Sequence, residues 1–558
     1  MRRSGCAVLR ACGAFAAIFA LATSSWAAPV ATPDGLIDGV AANGLIVYKG
    51  IPFAAPPVAN LRWRAPQPAM PWSGVLKADR FSPTCMQKGT YPPGSAAEPL
   101  SEDCLYLNVW KPVTETQAKL PVMVWIHGGG LENGSGSNAL YAGDVLARRG
   151  VIVVTFNYRL GVFGYLADPS LTAESAHHSS GNYGLLDQVA ALGWVHENIA
   201  AFGGDPDNVT VFGQSSGSIA ISALATTPLV RGLFQRAIGE SGGLFEPLDL
   251  SPDLTLAGAE HQGQEFMQRV GVTSLQALRN TPAAALMKAP FSPGLIIDGY
   301  AIRRPPIDVY RSGQQNDVAI LVGSNADEGR LFTAGRGITA KNMDHELAND
   351  FPGIVVSLIG PKAVATDAEA QAAAATFNTD MRFRWDMWTW ARLAAGSGKR
   401  KVFLYAFTRV PPYPKGSVYA GLGATHGVEM PYVFGHLEPG SAAWTAVDRR
   451  LSDALVTYWT QFAKTGDPNA AGIPAWHPYT LADPRIMYLG NDISAGTVGH
   501  EGDLVRIDRL YAIARFVMKY LYVLLAVAAL VVTGLAAGKI KSMRTPQTNR
   551  ALRPVRGV

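Results

Sequence analysis

Five short apolar runs constrain the fold more than any other feature of the chain. Val122–Ile126, Val151–Phe156, Val209–Phe212, Val318–Val322 and Val402–Phe407 are uncharged and rich in β-branched or aromatic residues. Strands that are apolar at consecutive positions are buried on both faces, as in a parallel sheet covered by helices. Between the second and third runs, Leu185, Val189, Leu192 and Ile199 recur near helical spacing, in a segment that opens after Asn182 and stops before Gly203 and Gly204. The alternation predicts an α/β protein with a mostly parallel central sheet and helices on both faces. The stretch from Asp344 to Gly396, rich in Ala and Trp, reads as a helical insertion that caps the sheet's active edge.

The two ends of the chain differ from the body. Residues 1–28 carry Arg2, Arg3 and Arg10, an Ala-rich apolar run from Ala14 to Ala22, and small residues around Ser25, Ala27 and Ala28, which reads as a secretory signal. Tyr520 to Gly538 is a run of 19 residues without a charge, about 28 Å long as a helix at 1.5 Å per residue, and is expected to cross a membrane. The tail 539–558 holds six Lys or Arg and no acid, so it belongs on the cytoplasmic side and the body outside. A tail removed during lipid anchoring is the alternative, and the basic extension argues against it. Residues 29–515 then form one large domain, with no evident repeat or long linker.

These ends also account for the basic balance. Nine of the 48 Lys and Arg lie in them, which leaves 39 bases against 43 acids in the body, so nucleic-acid binding is excluded as a function class. Removal of the signal takes Cys6 and Cys12 with it. The remaining Cys85 and Cys104, in an exported chain, are expected to pair, with two buried thiols as the alternative.

Acyl transfer at neutral pH needs a nucleophile, a base, an acid to orient the base, and donors for the developing oxyanion. The pattern G-x-S-x-G occurs at Gly213–Gly217 and again at Gly239–Gly243, so context has to choose. A nucleophile elbow requires a strand, a sharp turn and a helix. Val209–Phe212 supplies the strand, and Ser218–Thr226, stopped by Pro228, supplies the helix. Ser241 is followed by Gly242, Gly243 and Pro247, which cannot start a regular helix at once. Ser215 is therefore the candidate nucleophile and Ser241 a structural or supporting serine. His127, Gly128, Gly129 and Gly130 follow the Val122–Ile126 strand, where consecutive glycines let bare N–H groups converge. Gly129 and Gly130, with Ser216 N–H at a helix start, form a candidate oxyanion hole.

At this point the chain resembles the type-B carboxylesterase family, which includes the cholinesterases, within the α/β-hydrolase fold. The matching stretches are KGIPFAAPPVANLRWRAPQP (49–68), SEDCLYLNVWKP (101–112), WIHGGG (125–130), GNYGLLDQVAALGWVHENIAAFGGDPDNVTVFGQSSG (181–217), NADEG (325–329), THGVEMPYVFG (425–435) and WTQFAKTGDPN (459–469). The resemblance implies a serine hydrolase that cleaves carboxylic esters through an acyl-enzyme, without a cofactor. NADEG places the acid at Glu328 and THGVE the base at His426. Both lie past strands, in the family's order of Ser, acid, His. Asp327 is the rival acid, and Glu429 is expected as a buried supporting carboxylate by resemblance only. His127 suits loop support, and no zinc spacing appears, so no metal is expected.

The chain also departs from the cholinesterases. No Trp lies between Cys85 and Cys104, and Gln214 stands before the nucleophile where they carry Glu. Both changes disfavour choline esters and favour a general carboxylic ester. Two other readings stay open: a non-catalytic binding ectodomain of the same layout, and an amide or carbamate hydrolase using the same residues. Substrate identity and oligomeric state are left open.

Overall fold

The computed structural model describes residues 25–89, 98–114, 118–246, 254–437, 442–543 and 557, with some side chains of 518–543 outside the description. Its centre is a twelve-stranded sheet. In chain order the strands are β1 (Ser25–Trp26), β2 (Val40–Ala42), β3 (Leu45–Pro52), β4 (Tyr106–Pro112), β5 (Leu120–Ile126), β6 (Ile152–Phe156), β7 (Gly204–Gln214), β8 (Arg236–Glu240), β9 (Ala319–Asn325), β10 (Val402–Phe407), β11 (Arg485–Leu489) and β12 (Ile493–Thr497). Their spatial order is β1-β2-β3-β4-β6-β5-β7-β8-β9-β10-β11-β12. From β6 to β11 every neighbouring pair is parallel. Antiparallel strands extend the sheet at both edges.

All five predicted strands are present. The third begins earlier than expected, at Gly204. Strand β8 escaped the sequence reading because its ends, Arg236 and Glu240, are charged. Glu240 is buried all the same, with its Oε1 accepting the Trp459 indole N–H at 2.8 Å. Each parallel strand feeds two separate apolar cores. Val122, Val124 and Ile126 face one core, whereas Met123 and Trp125 face the other. This is the period-2 alternation of a strand covered on both sides.

The predicted helix spans Tyr183–Asn198, tightens into a 3-10 turn at Ile199–Phe202, and ends at Gly203, whose φ of 86° caps it. The expected cap is helical over Met343–Ala348, Gly353–Ile359, Asp367–Thr379 and Trp385–Ser397, with a π-turn at Asp380–Arg384. Thr366 and Glu369 close a capping box at the start of its third helix.

The chain order sets the position of the site. β5 is followed by β6 on one side and the adjacent β7 is followed by β8 on the other, so the connections that leave β5 and β7 diverge and leave a crevice at the carboxyl ends of these two strands. Ligands bind at such a switch point in open α/β sheets.

Cys85 and Cys104 form the expected disulfide, with a Cα–Cα distance of 5.0 Å. Such a bond belongs to an oxidising compartment outside the cytoplasm. Of the signal segment, residues 1–24 lie outside the described residues, and Ser25–Trp26 pair with Val40 and Ala41 as an edge strand. The expected membrane span falls inside the last helix, Glu501–Met543, with many of its side chains outside the description. Among the described residues no helix is long and apolar enough to cross a membrane, so the span is not borne out there. The basic tail from 544 onward lies outside the described residues, apart from Gly557.

Candidate active site

Ser215 sits between β7 and the helix Ser216–Leu224 with φ 56° and ψ −128°. A non-glycine residue in this region is strained, as expected of a hydroxyl held out on a sharp strand-to-helix turn. The two flanking glycines make the turn possible. A Cβ on Gly213 would come within 2.6 Å of the Ile126 carbonyl oxygen, and one on Gly217 within 2.0 Å. The turn is therefore pressed against the end of β5. Ser215 is half-buried, whereas Ser241 is fully buried with an Oγ that has no hydrogen-bond partner among the described residues.

Opposite the turn, His127–Gly130 leave β5. Gly129 and Gly130 have φ of 110° and 67°, and both have some exposure to solvent. Leu131 N–H donates to Ser216 Oγ at 3.2 Å, which ties this loop to the helix start. As the first helical residue, Ser216 has an N–H with no partner within its own helix. His127 supports the loop as expected. It stacks on Tyr158 with ring centroids 4.3 Å apart, and Tyr158 donates to the His127 carbonyl at 2.7 Å. Burial pushes the His127 imidazole down to about 4, so it is neutral at neutral pH.

Glu328 and His426 meet in the buried interior just past β9 and β10. His426 Nδ1 lies 2.6 Å from Glu328 Oε2, and Glu328 Oε1 accepts the Asn325 N–H at 2.6 Å. The rival Asp327 is occupied elsewhere, accepting the Ala424 N–H at 2.9 Å and pairing with Arg330 at 3.0 Å. Phe383 and Phe332 pack on the imidazole at 4.6 and 5.4 Å.

With Nδ1–H donating to Glu328, Nε2 is left as an acceptor, and the Gln214 amide nitrogen lies 3.2 Å from it. Among the described residues no hydrogen bond joins Ser215 Oγ to this atom. Gln214 was legible in the sequence as a lost negative charge but not as a partner of the imidazole.

Glu429 lies beneath this pair, accepting from Asn325 Nδ2. Burial, reinforced by the Glu328 charge, pushes its carboxyl up to about 7. Asn325, inside the NADEG stretch, bridges both carboxylates, a role its motif signalled only by position. Away from these residues, Asp380, His500 and Asp503 approach within 4.8 Å, with Asp380 already ion-paired to Arg384.

The model of the carboxylesterase family matches residues 27–502. The chain belongs to the carboxylesterase family. The para-nitrobenzyl esterase of Bacillus subtilis is 37% identical over 484 residues, covering 81% of this chain and 93% of that protein. The fumonisin B1 esterase of Sphingopyxis macrogoltabida is 36% identical over 499 residues, covering 83% and 87%. A solved PNB esterase structure superposes with a TM-score of 0.73 at 34% identity, covering 86% of this chain and 99% of that one. This carboxylesterase thus has the α/β-hydrolase fold expected from its motifs, and its reaction class is carboxylic ester hydrolysis.

Proposed function

We propose that Ser215 is the nucleophile, His426 its base, and Glu328 the acid that orients the imidazole. The single observation that carries this reading is the strained Ser215 turn beside a buried Glu328–His426 pair. His426 Nε2 takes the Ser215 proton as the hydroxyl attacks the ester carbonyl. N–H groups of Gly129, Gly130 and Ser216 hold the oxyanion, and His426 returns the proton to the leaving alcohol. Water then attacks the acyl-enzyme by the same route. The Glu328 carboxylate keeps Nδ1 protonated and stabilises the imidazolium. Binding of the ester draws Nε2 from Gln214 to Ser215, since catalytic hydrogen bonds often tighten only in the substrate complex. Glu429 and Ser241 act beneath the site without touching substrate.

The test is Ser215→Ala in the full chain, assayed with para-nitrophenyl esters of rising chain length and with a serine-reactive organophosphate. Turnover and labelling both vanish if the reading holds, and normal turnover refutes it. A binding ectodomain would show neither activity nor labelling in the wild type.

The reading includes location. Export by residues 1–28, a catalytic domain over 29–515 and an anchor at 520–538 followed by the basic tail are supported by the sequence, and export also by the disulfide. Membrane attachment itself rests on the 19 uncharged residues alone. Removing residues 516–558 should release active enzyme from the membrane fraction; enzyme equally soluble before the truncation refutes the anchor.

A further inference from the structure

The loop that follows the oxyanion glycines is held from outside by one side chain. Gln87 accepts the Gly134 N–H on its Oε1 at 2.7 Å and donates from Nε2 to the Gly134 carbonyl at 3.0 Å. This pair of bonds satisfies both backbone groups of one residue, as a neighbouring strand would. The same Nε2 reaches the Cys85 carbonyl at 3.1 Å, so the side chain is itself fixed by the start of the disulfide loop. Two further contacts join the same segments. Asn133 Nδ2 donates to the Lys88 carbonyl at 3.3 Å, and Ser135 Oγ donates to Glu98 Oε2 at 2.5 Å.

Gly134 has φ 118°, and its backbone lies directly behind the catalytic loop. A Cβ there would come within 2.4 Å of His127 Nδ1 and 2.6 Å of the Gly128 carbonyl oxygen, while a Cβ on Gly129 would come within 2.0 Å of the Asn133 carbonyl oxygen. With no space between the two layers, a shift of residues 133 and 134 has to move residues 128 and 129.

We propose that Gln87 is a positioning residue for the oxyanion hole: anchored by the Cys85–Cys104 loop, its amide locks Gly134 and thereby aims the N–H groups of Gly129 and Gly130 at the substrate oxygen. This rests on the oxyanion assignment above and extends it to a residue that touches no substrate. Aim matters most where charge develops, so loosening the clamp weakens binding of the tetrahedral state more than binding of the ester.

The experiment compares wild type, Gln87→Ala, Gln87→Glu and Ser215→Ala in the full chain. Gln87→Ala is expected to lower kcat for a para-nitrophenyl ester by about tenfold, less than the roughly 10²–10³-fold of losing an oxyanion donor outright, with KM little changed. Affinity for an aryl trifluoromethyl ketone, which forms a tetrahedral adduct, should fall in parallel with kcat/KM. Gln87→Glu supplies the control for a folding defect. A protonated carboxyl offers the same donor and acceptor as the amide, whereas the carboxylate faces the Gly134 carbonyl without a donor. Its deficit relative to wild type should therefore narrow as pH falls through the carboxylate range and widen above it. Wild-type kcat and ketone affinity in Gln87→Ala, or a Gln87→Glu deficit independent of pH, overturn the proposal. If Ser215→Ala itself keeps turnover, the failure lies with the catalytic assignment and not with the clamp.

Discussion

Gln214 and Glu240 lie opposite one another in register on the neighbouring parallel strands β7 and β8, and each is followed by a serine at positive φ, 56° for Ser215 and 58° for Ser241. The two G-x-S-x-G segments are thus backbone twins up to the serine. They diverge in what comes next. Ser216 opens a helix, whereas Gly242 turns back so closely that a Cβ on it would come within 2.6 Å of the Ser215 carbonyl oxygen.

Ser241→Ala is expected to separate the twins. It removes a buried hydroxyl that has no partner among the described residues, so its effect on stability should be small or favourable, within about 1 kcal/mol. Ester turnover should stay within an order of magnitude of wild type. Thermal melting and kcat/KM for a nitrophenyl ester check this, and loss of turnover comparable to that in Ser215→Ala would make Ser241 a participant in the chemistry.

The two adjacent acids should behave differently. Glu328→Gln keeps a hydrogen-bonding group beside His426 Nδ1 but removes the charge and permits the wrong tautomer, so kcat should fall by about 10³–10⁴-fold. Asp327→Asn, which weakens only the contacts to Arg330 and Ala424, should leave kcat nearly unchanged. Steady-state kinetics of both variants with one ester decide between them.

Glu429 makes stability depend on pH. An acid whose native-state pKa is raised from 4.5 to about 7 holds its proton longer in the folded protein than in the unfolded chain. Its contribution is therefore most favourable below pH 4.5 and declines as pH rises through about 7, on the order of 3 kcal/mol in all. Glu429→Gln, neutral throughout, should gain in melting temperature relative to wild type between pH 5 and pH 8. A difference that is flat across that interval would contradict the raised carboxyl.

The disulfide closes a loop whose opening releases chain entropy in the unfolded state. Replacing Cys85 and Cys104 together by Ala should cost roughly 3 kcal/mol, read from denaturant midpoints, by the chain-entropy model. An unchanged midpoint would mean the loop is held by its other contacts.

What could be read from the chain followed from burial and backbone geometry. The parallel strands were legible because both faces of each run are covered, and the sharp turn at Ser215 because the strand, the glycines and the helix after it are local in sequence. Strand β8 was not legible, since its buried Glu240 depends on Trp459, more than 200 residues away. The choice of Glu328 over Asp327 rested on resemblance, because two adjacent acids differ only in which one the folded chain turns toward His426. The contacts of Gln87 with Gly134 and of Gln214 with His426 are likewise tertiary and leave no periodic or spacing signal.

The closeness of Gly217 to the Ile126 carbonyl oxygen has a consequence for how such an enzyme can change. The Ser215 hydroxyl rides on the framework of the sheet, wedged mainly by main-chain atoms, while the cap at 343–397 is an insertion outside that framework. Cap segments away from Phe383, which packs on the His426 imidazole, can be lengthened, trimmed or exchanged while this main-chain wedge stays in place, which makes the scaffold a good starting point for altered specificity.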